Sequence, residues 1–218
     1  MSATAARHRR EQTRGEELAN SISHGVGLVA ALVATPFLLL RAAEHDDTAF
    51  LVGVAIFALA IVFQYLSSSL YHALPVGRPK QILRVIEHSA IFILIAGTYT
   101  PFTLGVLRGS WGWTLCALVW TLALVGVVLK SSNRLFHPRL SNALFLVMGW
   151  LIVVAIKPML DNVPMAGLLW LLAGGLAYTI GVAFYAASSR VRYAHFTWHL
   201  FVMLGTVCHY FAVYGYAA

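Results

Sequence analysis

The chain has 218 residues, of which 60% are apolar and only 11% charged, with a mean hydropathy of +0.77. Soluble domains carry about 25% charged residues, so a soluble globular fold is excluded and the chain reads as a membrane protein. Its net charge of +7 has no folded soluble module with base-stacking aromatics to act through, which excludes a nucleic-acid partner and leaves attraction to anionic lipid.

Residues 1–18 read as a short basic tail on the cytoplasmic side. The run SATAARHRREQTRGEE is polar for too long to be the n-region of a cleaved signal, and the next apolar stretch lacks a clear small-residue cleavage site. At about 20 residues per span, the remainder divides into seven predicted helices at 19–42, 49–73, 85–107, 111–130, 140–159, 164–187 and 193–216. The predicted fold is therefore all-α: a seven-transmembrane helix bundle over 19–218, with brief connections that suit a compact bundle and no internal repeat. Twelve basic residues (Arg7, Arg9, Arg10, Arg14, Arg78, Lys80, Arg84, Lys130, Arg134, Arg139, Arg190 and Arg192) fall on one side. Only Arg41, Arg108 and Lys157 fall on the other. Basic short loops stay in the cytoplasm, which predicts a cytoplasmic N-terminus and, with an odd number of spans, a C-terminus outside.

Polar side chains inside apolar spans are costly when unpartnered and mark functional sites. In the second span, Ser68 and His72 stand at i and i+4, and in the seventh, His195 and His199 do the same, so each pair shares one helix face. The predicted topology brings Ser68, His72, Glu87, His88, His195 and His199 to one depth. A span count wrong by one would separate the pairs by about 30 Å. Imidazole is a favoured zinc ligand, and three protein ligands with an open fourth position is the catalytic arrangement. His72, His195 and His199 are therefore the expected zinc ligands. Glu87 is placed to take a proton from water, and Ser68 to hold that water or a substrate carbonyl. The competing reading of these histidines is helix capping, or bonding to one another across the bundle.

In the first span, Glu17, Asn20 and His24 fall at i, i+3 and i+7. They form either a face that orients or gates the metal site or a set of capping and headgroup contacts. His88 points about 100° away from Glu87 and carries no assigned role. His209 lies fourteen residues beyond His195, about 21 Å along a helix, and reads as a hydrogen-bonded core histidine. Cys116 and Cys208 fall in separate spans and read as free packing residues. Thr98, Tyr99, Thr100 and Pro101 are expected to kink the third span and open a lateral cavity, the freed backbone being satisfied by neighbours. Gly174, Gly175 and Gly181 are expected to allow close helix packing.

Three segments resemble motifs of the hemolysin III group within the progestin and adiponectin receptor family. EELANSISHG (16–25) is similar to its E-x-x-N-x-x-x-H motif, SSLYH (68–72) to S-x-x-x-H, and HFTWH (195–199) to H-x-x-x-H. IEHSAIFILIAGTYTP (86–101) and WHLFVMLGTVCHYFAV (198–213) extend the likeness over all seven spans. The resemblance implies a multi-pass protein of the bacterial plasma (inner) membrane, with a zinc ion near the inner leaflet held by His72, His195 and His199. The wider superfamily includes alkaline ceramidases, which implies zinc-activated water attacking a lipid amide and a membrane lipid as partner. The chain departs from the family in carrying Glu87 where Asp is usual, one methylene longer. The expected function is thus a zinc-dependent intramembrane hydrolase of a lipid-like amide or ester. The alternative is a receptor or regulator of membrane homeostasis with structural zinc. A cytolysin is less supported, because the sequence has no amphipathic insertion segment and no ring of pore-lining charges. An ion transporter would need more mid-membrane carboxylates. The substrate and the oligomeric state are left open.

Overall fold

The computed structural model describes residues 10–132 and 138–218. Arg7, Arg9 and Arg134 of the basic set lie outside the described residues, as does the side chain of Arg139. The described residues are all-helical, and seven stretches are long and apolar enough to cross a membrane. They comprise α1 (Arg14–Ala43), α2 (Thr48–Ala73), α3 (Arg78–Leu104), α4 (Ser110–Ser131), a fifth span in two pieces, α5 (Pro138–Gly149) and α6 (Ile156–Asn162), then α7 (Met165–Ala187) and α8 (Ala194–Tyr216).

Two helices begin earlier than hydropathy predicts, each for a local reason. In α1, Thr13 and Glu16 form a capping box: the Glu16 N–H donates to Thr13 Oγ1 at 3.3 Å, and the Thr13 N–H donates to Glu16 Oε2 at 2.9 Å. This reciprocal cap satisfies two otherwise orphaned amides and starts the helix inside the segment read as tail. In α3, Pro79 sits in the first turn, where its fixed φ favours helix and its missing N–H costs nothing.

The fifth span is not the continuous helix that apolar length predicts. It runs as α-helix to Gly149, tightens to a 3₁₀ turn over Leu151–Ala155, and resumes as α6. Backbone freed at membrane depth must find partners within the protein. The hydroxyl of Tyr99 on α3 meets that need: it donates to Met148 O at 2.7 Å, with Gly149 O at 2.9 Å, and accepts the Ile152 N–H at 3.1 Å.

Helices α1 to α4 pack in chain order, and α8 packs against both α7 and α1, closing the bundle. Half of the apolar stretch of α2, α3 and α8 is buried, against 17% for α1. The central helices are therefore the ones that carry Ser68, His72, Glu87, His195 and His199. At the opposite end, Asp47 caps α2 by accepting from Ala49 N and Phe50 N at 3.0 and 3.1 Å. Arg108, in the loop after α3, reaches the same carboxylate at 2.5 Å and holds it below the ordinary carboxylate range. Cys116 and Cys208 are free.

Of the three glycines expected to tighten helix packing, Gly174 and Gly181 do so. A side chain at Gly174 would enter the His209 ring, and one at Gly181 would come within 3.0 Å of Phe201. Gly175 instead faces a cavity, with the Trp150 ring 3.8 Å from where its Cβ would stand.

Candidate metal centre

Four helices build the site at one end of the bundle. The face of α2 presents Ser68 and His72, that of α3 presents Glu87, and that of α8 presents His195 and His199, while α1 lies alongside. One ligand atom each from His72, Glu87, His195 and His199 falls within 4.8 Å of every other. Donors about 2.0–2.1 Å from a tetrahedral zinc ion stand roughly 3.3 Å from one another, so a contraction of about 1.5 Å at the widest pair closes the set. The i, i+4 spacing and the matched depth predicted from sequence are thus both present.

For His72 and His199 the hydrogen bonds decide which ring nitrogen is free. His72 Nδ1 lies 2.8 Å from Glu17 Oε2. A carboxylate only accepts, so Nδ1 is the donor and the Nε2 lone pair is left over. His199 Nδ1 lies 3.2 Å from the carbonyl oxygen of Asn20 and 3.1 Å from Ser23 Oγ. The same argument makes that nitrogen the donor and frees its Nε2. The Nε2 atoms of His72, His195 and His199 are all buried without a hydrogen-bond partner. Three partnerless imidazole nitrogens beside a buried carboxylate are what a cation requires, and pairing of the distal ring nitrogens with carboxylate or carbonyl is the usual support for a ligating histidine. These residues therefore fit a bound metal ion.

Glu87 is 1% exposed and is held from two sides. Ser68 Oγ donates to its Oε1 at 3.4 Å, and His88 Nδ1 stands 2.9 Å from its Oε2. His88 is itself fixed by Arg84 O at 2.6 Å and the Tyr185 hydroxyl at 3.0 Å.

The Haemolysin-III related family profile matches residues 12–210. The chain belongs to that family. It is 41% identical over 201 residues to the Hemolysin-3 homolog of Bacillus subtilis (strain 168), covering 92% of this chain and 94% of the relative. It is 38% identical to Hemolysin-3 of Bacillus cereus, covering 92% and 91%. More distantly, it is 29% identical to the human Monocyte to macrophage differentiation factor, covering 97% of this chain and 88% of that protein.

In this hemolysin III protein the α1 face reaches the His/Glu group by three different means. Glu17 bonds His72 through its side chain. Asn20 meets His199 through its backbone carbonyl, while its amide nitrogen donates to Gln12 Oε1 at 2.8 Å. His24 is fully buried and stacks on His199, with ring centroids 3.6 Å apart and planes 5° apart. His209 stays apart: its Nδ1 donates to Gly205 O at 2.8 Å and its ring stacks on Tyr178.

Sequence reasoning missed Ser23, Lys80 and His88. Ser23 follows Asn20 by three residues and lay readable on the same face. Lys80 Nζ, 3.0 Å from Glu17 Oε2, left no periodic signal because its position depends on the turn between α2 and α3. His88 was assigned away from Glu87 by helix angle, but its ring folds back once Arg84 O anchors it.

A cavity of about 100 Å³ adjoins the centre, bounded by Gln64, Ile91, Tyr185, Trp198 and His209 among others. The rings of Tyr185 and Trp198 also pack on His195, with centroids 5.7 and 4.9 Å away. A second cavity of about 270 Å³ shares Thr98, Tyr99, Gly149, Trp150, Gly175 and His209 and extends between α6 and α7. Thr98 and Tyr99 line both cavities, while α3 continues as helix through Pro101 to Leu104, and residues of the broken fifth span form part of the wall.

Proposed function

We propose that this hemolysin III protein is a zinc-dependent intramembrane hydrolase acting on a lipid-like amide or ester. The observation that carries the reading is the convergence of three partnerless, buried Nε2 atoms on a carboxylate, with Tyr185 and Trp198 standing between His195 and an apolar cavity. His72, His195 and His199 would hold zinc. When bound, zinc supplies Lewis acidity, polarising a carbonyl and making water more acidic.

The chain's own residues supply the rest. The carboxylate of Glu87, positioned by Ser68 and His88, accepts a proton from the attacking water and returns it to the departing amine or alcohol. The carbonyl C–N or C–O bond breaks, and the water oxygen stays on the acyl fragment as a carboxylic acid. Tyr185 and Trp198 line the route by which an apolar chain enters the cavity. Glu17 keeps His72 in the required tautomer, and the Asn20 carbonyl does the same for His199.

A second reading has one observation in its favour. Glu87 lies within ligand reach of the histidines, and a fourth protein ligand would close the shell as structural zinc sites do. The protein would then be a regulator of membrane homeostasis whose zinc ties helices together.

The test is the zinc content of the purified wild type against His72→Ala and His195→Ala, followed by turnover of a ceramide-like amide panel by wild type and Glu87→Gln. Equal zinc in all three proteins removes the site. Zinc retained with turnover lost in Glu87→Gln supports the hydrolase, and zinc lost in that variant supports the closed structural site.

The basic residues at the site end, including Arg10, Arg14, Arg78, Arg84, Arg190 and Arg192, support placing the centre under the cytoplasmic leaflet of the plasma membrane. A reporter fused to the C-terminus that is active only inside the cell would overturn that orientation.

A further inference from the structure

Gln64 sits on α2 one turn from Ser68, about 6 Å further from the metal centre along the helix. It is 1% exposed, and both atoms of its carboxamide lack a partner. In the lining of the same cavity, Asn142 on α5 has a buried, partnerless Oδ1. The cavity surface between them is overwhelmingly apolar, contributed by Ile91, Leu94 and Phe145 among others. Leaving buried amide atoms unpaired is costly, and an apolar side chain of similar size would fill either position without that penalty. Neither residue touches the histidines or Glu87 in any recorded bond, so the metal centre does not account for them.

We infer that Gln64 and Asn142 form a polar reading point that recognises a hydroxyl on the chain of the bound lipid, close to its reacting carbonyl. The inference rests on the hydrolase reading, because that reading places the carbonyl at the metal centre. A chain running from there into the cavity passes Gln64, which stands one helical turn beyond Ser68 and two beyond His72 along α2, so the carboxamide meets the part of the chain near the carbonyl. A carboxamide donates through its nitrogen and accepts through its oxygen. Two of them lining one cavity can satisfy both the lone pairs and the proton of one hydroxyl. The substrate class is therefore an acyl amide or ester hydroxylated near its carbonyl rather than a plain one, and a 3-hydroxyacyl amide is its simplest representative.

The test uses the full-length, zinc-loaded protein in detergent and two probes that differ only in the hydroxyl, 3-hydroxytetradecanamide and tetradecanamide. Binding is read from quenching of tryptophan fluorescence, since Trp150 and Trp198 line the cavity, and from thermal shift, so that no turnover is needed. Wild type is expected to bind the hydroxylated probe about tenfold more tightly, the scale of one net hydrogen bond. Gln64→Leu and Asn142→Leu are each expected to bind the two probes alike while keeping wild-type zinc content.

Equal binding of both probes by wild type, as expected if only water fills the polar end, overturns the inference. So does a preference that survives in both variants. Should Gln64→Leu not fold, Asn142→Leu and the wild-type comparison still decide. Selective binding without turnover would remove the hydrolase and leave the reading point standing. Turnover without hydroxyl preference would do the reverse.

Discussion

Glu17→Gln separates support of the metal from support of the fold. Glu17 Oε2 lies 2.8 Å from His72 Nδ1 and 3.0 Å from Lys80 Nζ. The amide keeps the shape of the carboxylate and retains an acceptor, but the negative charge that orients and enriches the imidazole is gone. Replacing such a partner typically weakens metal binding by about 10- to 100-fold, or about 1.4–2.7 kcal/mol. At about 2–4 °C per kcal/mol for a chain of this size, the zinc-dependent rise in Tm should shrink by roughly 3–11 °C. The metal-free protein should change less, because the amide oxygen can still accept from both His72 Nδ1 and Lys80 Nζ. The assay is thermal unfolding of wild type and variant, each with chelator and with saturating zinc, alongside a zinc titration. A drop in Tm that is the same with and without zinc would refute the reasoning, since Glu17 would then hold helices together and not a ligand.

His199→Ala should abolish the zinc-dependent Tm rise altogether, because binding to the folded state alone is what stabilises it; an undiminished rise, measured by the same unfolding scan, would count against His199 as a ligand. Tyr99→Phe removes the hydroxyl that joins Met148 O to the Ile152 N–H. At roughly 0.6–1 kcal/mol per membrane hydrogen bond, it should lower Tm by about 2–8 °C, with hydrogen exchange rising at Ile152 and not in α8. The Asp47–Arg108 pair implies a pH dependence. Because the folded-state pKa of Asp47 is lowered, its stabilisation is present above the ordinary carboxylate value of about 4 and is lost as pH falls through the lower folded value. Asp47→Asn should flatten that acid limb in a Tm-against-pH series and leave the curve at neutral pH parallel to that of wild type.

Much of the architecture was legible because the bilayer imposes a simple rule. A span must satisfy its own backbone, so apolar length alone located seven helices, and i, i+4 spacing alone put His195 beside His199 and Ser68 beside His72. Chain order then settled depth, since antiparallel neighbours bring the end of one span to the start of the next. The helix starts at Arg14 and Arg78 escaped hydropathy because a capping box and a first-turn proline act within polar sequence, where an apolar window has nothing to count. The break after Gly149 escaped it for a different reason: its stabilising hydroxyl comes from Tyr99, some fifty residues away in the chain.

Periodicity, then, was enough to say which residues share a face and a depth, because both follow from helix geometry and bilayer thickness. Packing alone could decide which ring nitrogen His72 and His199 leave free, that His88 turns back toward Glu87, and that Gln64 and Asn142 open into one cavity. Those outcomes depend on side-chain torsions and on partners from four or more helices. No local pattern along the chain encodes distances of a few ångströms between segments that meet only when the bundle closes.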